Sequence, residues 1–136
     1  MKIVVDTNVL IAAARSSEGV SFRFMDMVLQ GRFEVQISTP LLLEYEEILE
    51  RTTVLQSDQI ALLLSRIYDI SVCHDIYYLF RGILPDDDDV MVLEVAIKSN
   101  AQYIVTYNIR DFKATTAYGI SAITPKDILH LIGVLQ

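Results

Sequence analysis

Residues 2–8, Lys-Ile-Val-Val-Asp-Thr-Asn, decide the fold of this chain. The apolar run at 3–5 ends on Asp6, and a second apolar pattern begins at Val9. A short apolar run of this kind predicts a buried strand, and the pattern after it predicts a helix. Ligands bind at the carboxyl ends of the strands in open α/β sheets, so we expect Asp6 to carry the chemistry.

Strand and helix patterns alternate along the rest of the chain. This alternation predicts a three-layer α/β/α sandwich around a parallel sheet of four or five strands. A length of 136 residues predicts one domain, 1–136. The expected strands are 3–5, 33–37, 70–73, 103–106 and 120–123. The expected helices are 9–15, 21–30, 41–51, 57–68 with Ser57 as its cap, 89–99 and a terminal helix opened by 124–127, while 76–84 has no clear pattern.

Acidic side chains fall where these elements begin or end. Asp6 ends the first strand, Glu44 lies one turn inside a helix, and Asp86–Asp89 open a later helix. Asn108 and Asp111 follow the fourth strand. Because parallel strands end at one edge of the sheet, we expect these groups to converge. Clustered carboxylates repel each other unless a cation binds, and oxygen ligands without a Cys/His pattern indicate Mg²⁺ or Mn²⁺.

The four consecutive aspartates differ in their expected positions. Asp89 precedes two apolar helix residues by three and four positions, which places it on the inward face. We expect Asp86 and Asp88 to reach the site from the preceding turn, and Asp87 to be solvated. Glu94 falls on another face of the helix, so it is a weaker candidate for the site than these acids.

Each acid also has an ordinary structural explanation. Asp6-Thr7-Asn8 could form a turn with a helix cap. Glu44 sits among several helical glutamates of the kind found on solvated faces, and the aspartate run would suit a helix N-terminus. Asp111 would suit a turn. Only the joint placement of these residues predicts a site.

The composition limits the partners that the chain can have. A net charge of −7 argues against binding nucleic acid through a basic surface, although bound cations reverse the sign of an acidic pocket locally. An acidic surface also suits a basic partner protein. No apolar run approaches the roughly 18–20 residues of a membrane span. The single cysteine, Cys73, is expected to be a buried thiol beside His74; it fits a cytoplasmic protein and provides too few ligands for zinc.

Several segments, spread over nearly the whole chain, follow one family pattern. In their order they resemble the PIN-domain family of metal-dependent nucleases, and within it the small prokaryotic VapC-like toxins of toxin–antitoxin systems. The segments are Val-Val-Asp-Thr-Asn-Val-Leu-Ile at 4–11, Gly-Arg-Phe-Glu-Val at 31–35, Ser-Thr-Pro-Leu-Leu-Leu-Glu at 38–44, Asp-Asp-Asp-Asp-Val-Met-Val-Leu-Glu-Val-Ala at 86–96, Ala-Gln-Tyr-Ile-Val-Thr-Tyr-Asn-Ile-Arg-Asp-Phe at 101–112 and Ile-Thr-Pro-Lys-Asp-Ile-Leu at 123–129.

The resemblance implies an endoribonuclease that uses Mg²⁺ or Mn²⁺. Asp6, Glu44 and Asp89 match acids that bind the metal, and they would be the catalytic residues. Asn108 stands where many members have a fourth aspartate, and it brings no charge to the site. Asp111 would compensate as a further metal ligand.

Supporting roles follow from the same resemblance. Side chains expected to orient ligands or waters are Thr7, Asn8, Asp86, Asp88, Thr106 and Asn108. Arginines expected to hold the RNA backbone are Arg15, Arg23 and Arg110, for which surface ion pairs are an equal alternative.

Two other functions remain open at this point. A receiver-type phosphoacceptor domain also has a parallel sheet and an acidic pocket with a divalent ion, but it needs paired acids where this chain has Asp6 alone. A non-catalytic module with the PIN-like fold would be compatible with Asn108. If the chain is a toxin, we expect a small antitoxin to cover the pocket. Apolar positions in helices 21–30 and 57–68 would serve that partner or a homodimer.

Overall fold

The computed structural model describes residues 1–135 and contains a five-stranded sheet with helices on both faces. This confirms the predicted three-layer α/β/α architecture. The strands are β1 (Lys2–Val5), β2 (Glu34–Ile37), β3 (Ser71–Cys73), β4 (Tyr103–Val105) and β5 (Ser121–Ile123), all parallel in the order β3-β2-β1-β4-β5. The helices are α1 (Thr7–Arg15), α2 (Val20–Leu29), α3 (Thr39–Thr52), α4 (Ser57–Ile70), α5 (Asp87–Ser99) and α6 (Pro125–Leu131), with a 3₁₀ segment at Ile109–Tyr118.

The strand order creates a switch point between β1 and β4. The chain builds the sheet outward from β1 through β2 to β3, and then returns to the other side of β1 with β4. Right-handed crossovers place the helices of these two halves on opposite faces, with α5 packed against β1, β2 and β4. Ligands bind at the carboxyl ends of the strands beside such a switch point.

The central position of β1 explains why the strand is apolar after Lys2. Ile3, Val4 and Val5 are at most 2% exposed because helices cover both faces of the strand. Val5 pairs with Val105, so the residues that follow, Asp6 and Thr106, emerge side by side at the switch point.

Short polar side chains cap the helices that follow strands, and they fix where each helix begins. Asp6 accepts a hydrogen bond from the backbone N–H of Thr7, and Ser38 accepts one from Leu41. Asp86 does the same for α5, which begins at Asp87, two residues before the predicted start. Such caps satisfy N–H groups that have no partner within the helix.

Several local predictions were wrong. Gln56, not Ser57, precedes α4 as its cap, and its backbone N–H donates to Gln59. Cys73 is exposed because it ends an edge strand. The 3₁₀ segment after β4 was not predicted, because its sequence has no regular apolar pattern and it is interrupted by a kink at Phe112. Among residues 1–135, none of the helices combines the length and the apolar character needed to cross a bilayer.

Candidate active site

Asp6 lies at the switch point with both carboxylate oxygens engaged. Oδ1 accepts the Thr7 N–H at 2.8 Å, and Oδ2 accepts the Thr106 hydroxyl at 2.8 Å and the Asn8 amide at 3.3 Å. The residue is 7% exposed. Burial raises the pKa of Asp6, while the bonds from Thr106 and Thr7 lower it, and repulsion from Asp111 raises it further.

Glu44 is held beside Asp6 by one intervening residue. The Thr7 hydroxyl donates to Glu44 Oε2 at 3.1 Å, and the Thr7 backbone N–H donates to Asp6 Oδ1. Burial, followed by the negative charge of Asp88, raises the pKa of Glu44 to about 8. Thr7 therefore links two acids from segments that are far apart in the sequence.

Asp89 enters the same region from the first turn of α5. It is 7% exposed, as expected for the inward face of the helix. Burial, followed by the charges of Asp6 and Asp86, raises its pKa to about 7. Thr7 contacts both Asp6 and Glu44, and the charge of Asp6 contributes to the raised pKa of Asp89. We call Asp6, Glu44 and Asp89 the acid cluster.

A family model described as PIN domain matches residues 2–110 of the 136-residue chain. The chain belongs to the PIN-domain family. Members of this family are generally metal-dependent nucleases. The family match gives no support to the receiver-type alternative. No curated protein matches the chain.

Within the described part of this PIN domain, the acid cluster has no basic partner. The ion pairs among residues 1–135 join the terminal amine to Glu34 and Arg51 to Glu47, and neither involves the cluster. Buried carboxylates without a counter-charge are costly, and a divalent cation would remove that cost. The donors are hard oxygens of the type that Mg²⁺ and Mn²⁺ prefer.

The carboxylates are not drawn together around one point. No group of three His, Cys, Asp or Glu side chains within residues 1–135 is already placed to hold a metal ion. The charge and the donor type of the cluster therefore fit a cation, but its carboxylates would have to close around one.

The remaining acids and amides surround the cluster unevenly. Asp86 and Asp88 are exposed, yet their charges reach Asp89, and Asp88 acts on Glu44. Asp111 is half-buried, and its charge raises the pKa of Asp89. Asp87 is solvated, in agreement with its predicted position.

The two asparagines take different places. Asn8 bridges the strand ends, because its amide donates to Asp6 and to the Thr106 hydroxyl, while its oxygen accepts the Tyr107 N–H. Asn108 is exposed, and its backbone N–H donates to Thr106 Oγ1 at 3.0 Å. It therefore stabilises the turn after β4 through its backbone.

The three arginines predicted to bind RNA are scattered over the surface. Arg15 donates to the Thr52 carbonyl at 2.8 Å and so ties α1 to the end of α3. Arg23 lies on α2 and Arg110 on the 3₁₀ segment, both exposed. None of the three forms an ion pair among the described residues.

Glu94 is a residue whose importance the sequence did not reveal. It is 4% exposed, and its carboxylate accepts the backbone N–H groups of Tyr77, Tyr78 and Leu79. Successive N–H groups that point to one place form a concave site for an anion. Glu94 thus fixes the irregular segment before α5. The apolar residues on every face of α5 are the one sequence signal for this role. They indicate a helix that is buried all round, and an acid in such a helix needs buried hydrogen-bond donors.

Proposed function

We propose that this PIN domain is an endoribonuclease that hydrolyses RNA phosphodiester bonds with Mg²⁺ or Mn²⁺. The observation that carries the proposal is the acid cluster, which brings carboxylates from three distant segments to the switch point without a basic partner among residues 1–135. Structural acids of a fold are normally exposed or paired with a base. A cluster that is costly without a cation is a candidate functional site.

Asp6, Glu44 and Asp89 would hold the cation, with Asp111 as a further ligand. When bound, the cation lowers the pKa of a water and screens the charge of the phosphate. Raised pKa values in the cluster mean that the cation competes with protons for these oxygens. Binding and activity should therefore increase from acidic toward neutral and mildly basic pH.

Neighbouring hydroxyl and amide groups would orient the acids. Thr106 and Asn8 donate to the same oxygen of Asp6, which fixes the plane of that carboxylate. Thr7 fixes Glu44 through its hydroxyl. These contacts leave lone pairs on the carboxylates for a cation, and they limit side-chain motion in the way that outer-shell groups do at metal sites.

The test is RNA cleavage with Mg²⁺ or Mn²⁺ by the wild type, Asp6→Asn and Asp89→Asn. We expect each substitution to lower the cleavage rate by about a hundredfold or more, because loss of even an outer-shell partner at a metal site costs roughly 10–100-fold. Asp127→Asn is a matched control, because Asp127 occupies the same turn of α6 that Asp89 occupies in α5, but it is exposed. Equal cleavage by all four proteins would refute the assignment.

We further propose that the chain is a VapC-like toxin, that residues 1–136 act as one cytoplasmic domain, and that a small antitoxin binds it. The sequence resemblance and the acidic surface support this role. A groove of about 340 Å³ between α1, α2 and α4, with Phe22 and Leu63 in its lining, provides apolar surface for the antitoxin. A homodimer is the alternative occupant of this groove.

Two measurements test the toxin role. Expression of the wild type in a bacterium should stop growth, and expression of Asp6→Asn should not. A small protein encoded beside this gene should restore growth and bind the purified chain. If the wild type cleaves RNA but growth is unaffected, the nuclease proposal survives and the toxin proposal does not.

A non-catalytic interaction module is the second candidate. The lack of a ready-made group of three ligands and the neutral Asn108 favour it. Calorimetric titration with Mg²⁺ and Mn²⁺ separates the two candidates. Absence of binding at millimolar concentration would favour the module.

A further inference from the structure

A cleft opens directly beside the acid cluster. It has a volume of about 590 Å³ and lies between α3 and the segment that leads into α5. Glu44 belongs to both the cleft and the cluster, so the two are continuous. Cleft volumes of 300–1,000 Å³ are typical for small ligands. Residues of the two walls include Glu44, Glu47 and Arg51 on α3, with Tyr78, Arg81 and Asp88 opposite. We call this space the Tyr78 cleft.

Tyr78 and Arg81 contact each other on one wall. The Arg81 guanidinium carbon lies 5.2 Å from the centre of the Tyr78 ring, within the range of a cation–π contact. The tyrosine is still 43% exposed. An exposed aromatic ring beside a guanidinium group is a surface on which nucleic-acid bases stack.

The backbone at Tyr78 is strained, and it is held in place from behind. Its φ of 58° lies in the left-handed region, which glycine adopts freely and a bulky residue rarely does. Glu94 stabilises this conformation by accepting the N–H groups of residues 77–79. A large aromatic residue where glycine would be unstrained indicates that the side chain itself has a use.

Two arginines of the cleft offer contacts to a phosphate. Arg51 and Arg81 supply positive charge, and the acids of the lining are Glu44, Glu47, Asp87 and Asp88. Arg51 contacts Glu47 only at 3.8 Å, and both side chains are largely exposed. Such surface pairs are weak, so Arg51 is free to exchange Glu47 for a phosphate.

We propose that the Tyr78 cleft binds an unpaired nucleotide of the RNA beside the bond that is cut. Its base stacks on the Tyr78–Arg81 pair, and its phosphate contacts Arg51. Because a base inside a duplex is already stacked on its neighbours, the cleft favours single-stranded RNA. The position beside the scissile bond rests on the proposed nuclease function, but the binding itself does not.

The test measures the affinity for a short single-stranded oligoribonucleotide by fluorescence anisotropy in low-salt buffer with EDTA, where no cation supports cleavage. We expect Tyr78→Ala to weaken binding about tenfold, within the range for loss of one stacked base, and Tyr78→Phe to change it little. Tyr77→Ala is the matched control. Tyr77 is exposed and contacts Lys98 at 4.8 Å as a second aromatic–cation pair, but it does not line the cleft.

Folding is separated from binding by Tyr78→Gly. This variant removes the strain and should be at least as stable as the wild type in urea, yet it should bind RNA as weakly as Tyr78→Ala. A duplex of the same sequence should bind the wild type and Tyr78→Ala equally. If the wild type binds no RNA, or if the alanine variants at 77 and 78 behave alike, the inference is wrong.

Cleavage kinetics separate this inference from the nuclease proposal. With Mg²⁺ or Mn²⁺, Tyr78→Ala should raise KM about tenfold and leave kcat nearly unchanged, because stacking acts on ground state and transition state equally. RNA cleavage with an unchanged KM in Tyr78→Ala would refute the inference alone. Stacking-dependent binding without cleavage would refute only the nuclease proposal.

Discussion

Asp89→Asn should stabilise the metal-free protein while it abolishes the response to a cation. Burial and neighbouring acids raise the pKa of Asp89 from 3.8 to about 7. A difference of roughly three pH units corresponds to about 4 kcal/mol. Solvent screening at the edge of the site reduces this, so we expect removal of the charge to increase the free energy of unfolding by about 2 kcal/mol at pH 8.5.

The sign of the pH dependence follows from proton binding. Below pH 3.8 the carboxyl group is protonated in both the folded and the unfolded chain. Between that value and about 7 the unfolded chain loses its proton first, so the wild type loses stability as pH rises, and above about 7 the loss is constant. The advantage of the variant should therefore be less than half as large at pH 5 as at pH 8.5.

Urea unfolding in EDTA, followed by circular dichroism at both pH values, measures this advantage. A gain of about 2 kcal/mol moves the midpoint by about 1 M urea in a domain of this size. Added Mg²⁺ or Mn²⁺ should raise the midpoint of the wild type and leave that of Asp89→Asn in place, because only binding to the folded state stabilises. Asp127→Asn should behave as the wild type throughout. A variant that is no more stable than the wild type at pH 8.5 would show that the buried charge is not costly.

Further substitutions test other contacts of the fold. Glu94→Ala leaves the N–H groups of residues 77–79 without their acceptor, so it should lower the free energy of unfolding by about 2–3 kcal/mol and speed amide exchange there, as hydrogen-exchange mass spectrometry would show. Tyr45→Phe removes the donor to the buried Val5 carbonyl and should cost about 1 kcal/mol in urea unfolding, with unchanged stability refuting a role for that bond. Asn100→Gly should increase the free energy of unfolding by about 0.5 kcal/mol and so raise the thermal midpoint slightly. Asn100 ends α5 with a φ of 58°, in the left-handed region that glycine adopts without strain.

The sequence predicted the fold well wherever one strong pattern acted alone. The buried strand before Asp6 depends on local burial, and the helix expected at 41–51, observed at Thr39–Thr52, depends on a local pattern; the chain displays both directly. The parallel sheet followed from the alternation of strands and helices. The inward position of Asp89 followed from helix geometry, because it needs only residues three and four positions away.

The rest could not be predicted because it depends on distant or irregular partners. Glu94 accepts backbone N–H groups of a segment that has no regular pattern, so its structural role could not be read from its helix face. Gln36 is polar within β2 and still buried, because the distant His74 bonds to it at 2.7 Å. The contact of Tyr78 with Arg81 depends on a left-handed turn that no glycine marks.

The place of β1 in the middle of the sheet has a consequence for synthesis of the chain on the ribosome. β1 is made first, but one of its two neighbours, β4, is made about 100 residues later. Asp6 therefore gains its hydrogen bond from the Thr106 hydroxyl only after another 100 residues have been made. Asp89 is made shortly before Thr106. A nascent or prematurely terminated chain that ends before β4 lacks the neighbouring strand and the hydroxyl that hold Asp6 in place. Whatever chemistry the acid cluster performs is thus withheld until translation has passed β4.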